Sequence, residues 1–343
     1  MRLVLSRPLS NRATAFSITR VQPLQSQRRQ YACQFRHPTK LDQLRAKLRA
    51  FGKGHIELDL NHSPGLALLT LSNPTKHNAL TGKMMAELAD CVDFLEEATA
   101  ASGGPTSIGT HNSQLPQLHS DSGLVLKYLS AAKTTLLTSQ AGSEMSALMV
   151  STLTRFMRLP LLTIAAVEKA AIGGGAELTT CCDHRCLTDQ AKVQFVQTQM
   201  GVVTGWGGAS RLLPTISNNR SLALRLLASA EPMRGGQDAI QSGFAQCTAP
   251  VGKAVERATE YMQPYVWERL PSSSDAQGSG GNQAGARRCV AAVRAMKRIV
   301  SFGLDYERVE RVSELEKDLF KQLWGGSDNL ARVDAATSVT SKK

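Results

Sequence analysis

Acidic residues are missing from two parts of this chain, and each gap excludes something. Residues 1–40 contain no Asp or Glu, and none occurs between Asp189 and Glu231. The first gap leaves an N-terminal segment with only positive charge. The second leaves a long stretch of the chain without a carboxylate for acid–base work. Long apolar runs are also lacking: none approaches the ~18 residues of a membrane-spanning helix, and no secretory apolar segment is present. The seven cysteines, Cys33, Cys91, Cys181, Cys182, Cys186, Cys247 and Cys289, are odd in number and have no disulfide-framework spacing, as suits a reducing compartment. Cys181-Cys182-Asp183-His184-Arg185-Cys186 is not read as a metal site. Cys181 and Cys182 continue an apolar helix, where neighbouring side chains point in different directions, so buried inert thiols are expected.

The formal net charge is +12, but Arg2, Arg7, Arg12, Arg20, Arg28, Arg29, Arg36 and Lys40 supply eight of those charges and leave +4 for the remainder. No long Lys/Arg stripe follows, so nucleic acid is not expected as a partner. Residues 1–40, Arg- and Ser-rich with scattered apolar residues, read as a mitochondrial transit peptide and hence point to the matrix; a basic tail on a cytosolic protein is the alternative.

The chain is long enough for one large α/β domain with appendages. Residues 55–61 and 66–72 read as a β-hairpin, and Thr81 as the cap of a helix over 83–98 whose Met84, Met85, Leu88, Cys91, Val92 and Leu95 recur at helical spacing. Residues 99–122 read as a flexible insertion, with His111 and His119 in solvent. Strands are expected at 123–129, 134–138, 161–167, 183–187 and 192–195, and helices at 144–157, 173–182, 207–213, 220–227 and 236–243. A core over 54–270 is followed by a linker, 271–286, a helical region, 287–333, and a tail, 334–343. Short strands alternating with helices argue for an α/β fold.

The most informative stretch is Ala170-Ala171-Ile172-Gly173-Gly174-Gly175-Ala176-Glu177. Three glycines leading from an apolar strand into a helix bring the backbone close to a ligand and aim free N–H groups at it. That suits an oxyanion hole, in which one preorganised donor is worth ~10²–10³ in rate; a tight turn or a phosphate cradle is the alternative.

Two further blocks accompany it: Leu69-Thr70-Leu71-Ser72-Asn73-Pro74 leading into Lys76-His77-Asn78-Ala79-Leu80-Thr81, and Met200-Gly201-Val202-Val203-Thr204-Gly205-Trp206-Gly207-Gly208-Ala209-Ser210-Arg211-Leu212. In this order the three blocks resemble the crotonase (enoyl-CoA hydratase/isomerase) superfamily over residues 54–333. Thr154-Arg155-Phe156-Met157-Arg158-Leu159-Pro160, Trp206-Gly207-Gly208 and the late Asp318-Leu319-Phe320, Leu323-Trp324-Gly325-Gly326 and Asn329-Leu330 resemble, more finely, the branch that decarboxylates ethylmalonyl-CoA.

The resemblance implies a spiral of ββα units with a C-terminal helical region and a homotrimer or homohexamer. It also implies an acyl-CoA thioester substrate, with no metal and no cofactor beyond the coenzyme A of the substrate, and no membrane partner. It gives Gly174 and Ser143 as oxyanion donors, Ser143 by matching Ser139-Gln140-Ala141-Gly142-Ser143-Glu144-Met145 to the second donor motif, in which Asp is usual where Glu144 stands. Glu177 is the proton-transfer residue, a helix-terminal carboxylate that only serves the dipole being the alternative. Lys76, Asn78, Ala79 and Leu80 fall beside the CoA nucleotide, Gly142, Gly173 and Gly175 are further substrate-binding residues, and Trp206 is a candidate wall of the acyl slot. Trp324 is either an interface anchor or a core residue. Gln197 occupies the position of the second carboxylate that a hydratase needs, so the implied reaction is decarboxylation of ethylmalonyl-CoA, and of methylmalonyl-CoA, as metabolite repair. The alternatives are an enoyl-CoA hydratase or isomerase of β-oxidation, and a non-catalytic CoA- or RNA-binding scaffold.

Overall fold

The structure is a computed structural model that describes residues 1–6, 40–63, 65–76, 78–100, 137–266, 290–303 and 306–340. The expected insertion beyond residue 100, the strand at 123–129 and the linker at 271–286 lie outside these residues.

In chain order the elements begin with β1 (Arg2–Ser6), α1 (Lys40–Leu48), β2 (His55–Ser63), β3 (Leu66–Ser72), α2 (Gly82–Ala100) and α3 (Ser139–Arg158). There follow β4 (Thr163–Val167), β5 (Ala170–Ile172), α4 (Gly174–Thr179), β6 (His184–Thr188), β7 (Lys192–Gln194), α5 (Gly208–Thr215) and α6 (Arg220–Leu227). The chain continues through β8 (Met233–Arg234), α7 (Gln237–Gln241), β9 (Cys247–Ala249) and α8 (Ala254–Val266) to three late helices, α9 (Val290–Gly303), α10 (Tyr306–Leu323) and α11 (Ser327–Thr340). No helix among the described residues is long and apolar enough to cross a membrane.

Among the described residues two sheets organise the fold, one of six strands in the order β2-β3-β1-β4-β6-β9 and one of three, β5-β7-β8. The expected hairpin is present as antiparallel β2 and β3, and β4, β6 and β9 run parallel.

The N-terminal reading is corrected by β1. Arg2–Ser6 lies inside the large sheet, antiparallel to β3 on one side, with Leu3 opposite Leu69, and to β4 on the other, with Leu3 opposite Ala165. Leu3, Val4 and Leu5 are buried. Their side chains alternate between faces, as the period of a strand requires: Leu3 and Leu5 join Leu69, Met84, Leu88 and Phe156 under α2 and α3, while Val4 joins Leu66, Ile164 and Met262 under α8. Residues 2–6 of the expected leader are therefore a strand of the large sheet. The flanking arginines suggested import, whereas Leu3-Val4-Leu5 is the short apolar run of a strand covered on both faces.

Thr81 caps α2 as expected, its Oγ1 accepting the N–H of Met84 at 3.3 Å. A carboxylate network ties the helical layer together: Asp93 of α2 pairs with Arg45 of α1 and Arg155 of α3 at 2.6 and 2.7 Å, and these two guanidinium groups hold its carboxyl at about 2. In the smaller layer, Val193, Phe195, Leu212 and Phe244 form a second apolar cluster. The strand–turn–helix from β5 to α4 runs along the seam between these layers.

Candidate active site

Gly173 turns the chain out of β5 at φ 57°, a left-handed conformation that favours glycine, while its N–H remains bonded to Gln194 O at 2.9 Å. Gly174 and Gly175 then open α4, where first-turn N–H groups have no partner within the helix. The indole of Trp206 lies directly on Gly174, and a Cβ there would collide with the ring. Gly173, Gly174, Gly175, Glu177 and Trp206 border a cavity of about 420 Å³.

Glu177 is the fourth residue of α4 and is buried at 3% exposure. Its Oε2 accepts the N–H groups of Trp206 and Gly208 at 2.8 and 3.0 Å, and its Oε1 accepts Nε2 of Gln197 at 2.8 Å. This close approach needs Gly208, since a Cβ there would lie 2.5 Å from Glu177 Cγ. Burial raises the proton affinity of Glu177, and the neighbouring Glu316 carboxylate raises it further. The Trp206 N–H, Arg211 and Gln197 oppose them, and the balance stands at about 7. Glu177 can therefore hold or release a proton near neutrality.

Gln197 begins a short turn, residues Gln197–Met200, that ends at Gly201 in the left-handed region. The family resemblance implies an amide at the second-carboxylate position, and Gln197 is found beside Glu177. Its Oε1 is buried without a partner and Gln197 lines the cavity. Two carboxylates gripping one water are thus not available at this position.

Lys76, Asn78, Ala79 and Leu80 form a rim of the same cavity. Asn78 has φ 58° and closes a tight turn: its Oδ1 accepts the Asn73 N–H at 2.7 Å, and its own N–H reaches Asn73 O at 2.9 Å.

Two assignments around residues 139–145 are corrected. Helix α3 starts at Ser139, because Thr138 Oγ1 accepts the Ala141 N–H at 3.1 Å and Thr138 O accepts the Gly142 N–H at 2.9 Å. Ser143 therefore sits beyond the first turn, where its N–H belongs to the helical ladder, and it does not border the cavity. Gly142 does not border it either; it faces Trp324, whose ring leaves no space for a Cβ. Ala141, Glu144 and Met145 are the residues of this helix that reach the cavity. The threonine cap moved the helix start upstream of the point where a donor at Ser143 would need it.

The late Trp-Gly-Gly motif closes the site from the C-terminal side. Phe320 and Trp324 stack with ring centroids 5.0 Å apart and line the cavity, Phe320 lying against Gly205. Asn329, fully buried, accepts the Gly325 N–H at 2.9 Å and donates to Met200 O at 2.7 Å, which braces the turn that carries Gln197. Trp324 is partly buried and packs against Phe320 and Gly142. Glu316 and Arg211 were not assigned to the site from sequence, although both are buried beside Glu177. A signal was present for Glu316: with Ser313 and Phe320, both also buried, it recurs at helical spacing on the inward stripe of α10.

Comparison with solved structures finds the same architecture in an enoyl-CoA hydratase of Bacillus halodurans (TM-score 0.56, 19% identity, 82% of this chain and 99% of that one). An enoyl-CoA hydratase/isomerase of Xanthobacter autotrophicus Py2 is similarly alike (TM-score 0.60, 19% identity, 83% and 96%). Residues 127–273 match the enoyl-CoA hydratase/isomerase family model. The fold is that class's fold. In sequence, the chain is 34% identical over 291 residues to the ethylmalonyl-CoA decarboxylase of Danio rerio, covering 84% of this chain and 85% of that protein. It is 34% identical over 318 residues to that of Gallus gallus (92% and 94%), and 32% identical over 299 residues to that of Homo sapiens (85% and 84%). The chain belongs to the ethylmalonyl-CoA decarboxylase family within the enoyl-CoA hydratase/isomerase superfamily.

Proposed function

We propose that this chain decarboxylates ethylmalonyl-CoA, and methylmalonyl-CoA as a smaller congener, to the corresponding acyl-CoA. The observation that carries the reading is the pairing of one buried, near-neutral carboxyl, Glu177, with an amide, Gln197, beside the first-turn N–H groups of Gly174 and Gly175.

In this reaction the bond between the α-carbon and the carboxylate breaks, and its electron pair moves into the thioester carbonyl to give an enolate and CO₂. The Gly174 and Gly175 N–H groups serve the enolate oxygen, aided by the positive end of α4. The apolar wall formed by Trp206, Phe320 and Met145 strips water from the departing carboxylate. Glu177, in its acid form, gives its proton to the α-carbon and regains one from solvent. Only one titrating group is required, and an amide, Gln197, stands beside Glu177 where a hydratase needs a second carboxylate. A role in removing wrongly carboxylated acyl-CoA follows from that selectivity.

The test is product analysis with the purified full chain. Ethylmalonyl-CoA is expected to yield CO₂ and butyryl-CoA, and crotonyl-CoA to remain unchanged. Hydration of crotonyl-CoA with no release of CO₂ would replace this reading with that of a hydratase.

A further inference from the structure

The segment 204–211 runs between two buried carboxylates, one from α4 and one from α10, far apart in the chain. Glu177 takes the N–H groups of Trp206 and Gly208 at 2.8 and 3.0 Å. Glu316, on α10, takes those of the next two residues, Ala209 at 3.2 Å and Ser210 at 3.1 Å, together with the Thr204 hydroxyl. A bond of 2.8 Å between the hydroxyls of Ser313 and Ser210 adds a second tie from α10 to this segment.

The charged groups that act most strongly on Glu177 are Glu316 from α10 and Arg211 from α5, while Glu144 of α3, Lys47 of α1 and Lys76 border the same cavity. Arg211 also faces Glu316, so one cation stands against two carboxylates and balances one negative charge. The other carboxyl keeps a proton, as like charges at close range require. Each carboxyl accepts two backbone N–H groups, so those donors do not decide which. Gln197 does: its Oε1 is unpartnered, and its amide can turn to accept a bond from a protonated Glu177.

We propose that Glu316 is a positioning residue that pins the segment carrying Trp206 and, through its own charge, keeps Glu177 in the acid form that protonates the enolate. This deepens the decarboxylase reading and rests on it for the proton's destination. It makes α10 part of the active site.

The experiment follows the protonation of Glu177 directly in the unliganded full chain, by the infrared carboxylic-acid band that disappears in Glu177→Gln. The same variants are then run through a pH profile of kcat with ethylmalonyl-CoA. Glu316→Gln is expected to move the midpoint of the band about one pH unit lower, with the falling limb of the profile moving in step, while Glu316→Asp, which keeps the charge, leaves both near the wild-type position. Thr204→Val, which loosens the hold on the Glu316 charge without removing a buried carboxylate, is expected to shift the midpoint in the same direction and serves if Glu316→Gln does not fold. An unmoved midpoint in the folded variants, or a fall in kcat without a shift, would overturn the proposal. The infrared titration needs no turnover, so a wild-type chain that releases no CO₂ fails the decarboxylase reading separately from the coupling of the two carboxylates.

Discussion

Gln197 Nε2 donates to Glu177 Oε1 at 2.8 Å inside a cavity bordered by three consecutive glycines. An amide in that place gives Glu177 a partner that carries no charge and cannot act as a second base. The substitution Gln197→Glu should therefore supply the missing carboxylate. Expected is a gain of crotonyl-CoA hydration, together with at least a tenfold loss of ethylmalonyl-CoA turnover as two carboxylates crowd the substrate's own. Parallel assays of the two substrates check it.

Glu177→Gln should leave the fold intact. The new amide oxygen can accept the Trp206 and Gly208 N–H groups, and Gln197 can turn its unpartnered Oε1 toward the new NH₂. Turnover should fall by ~10²–10⁴, the usual contribution of a positioned general acid. The melting temperature and kcat, measured together, separate this from simple unfolding.

Activity and stability should both depend on pH through the same group. The Glu177 carboxyl titrates ordinarily at 4.5 and at about 7 in the folded chain, so the folded state binds the proton more tightly than the unfolded one. That stabilisation is complete below 4.5 and is lost as the pH rises through 7. Wild-type kcat should decline over the same upper range, and Glu177→Gln should lose this part of the pH dependence of its melting temperature.

Gly174→Ala would drive a methyl group into the Trp206 indole. Moving the ring should cost about 1–3 kcal/mol of stability and displace a wall of the acyl slot. Gly175→Ala is the control, since its Cβ would meet only Ala171 Cβ, at 3.9 Å. Denaturant titration of the two variants should rank them in that order.

Leu5→Ala tests the placement of β1. A fully buried leucine in the middle of the large sheet should cost about 2–5 kcal/mol, whereas the same change in a detached leader would cost nothing. Urea unfolding midpoints decide between them.

Much of the site is legible in the residue order. Glycines that lead from a strand into a helix announce close backbone approach, and the carboxylate three residues after Gly174 falls in the first turn whatever surrounds it. Gln197 could be placed by matching the block around Gly201 to the family it resembles. Other features depend on tertiary packing that local patterns do not carry. β1 has only five residues and no polar alternation, so its arginines dominated the reading. The second donor motif gave no sign that Thr138 would start α3 early. Glu316 sits within a run of charged residues that looks solvated until the late helices fold back over Gly205 and Gly142.

The account stands most directly on one measurement: the full chain turned over with ethylmalonyl-CoA in deuterated water, with CO₂ and the acyl-CoA product quantified together. Equal amounts of CO₂ and butyryl-CoA carrying a single deuterium at the α-carbon, with both products suppressed in Glu177→Gln, are the predicted result. Butyryl-CoA formed at the wild-type rate by Glu177→Gln, or no CO₂ from the folded wild-type chain, would contradict it.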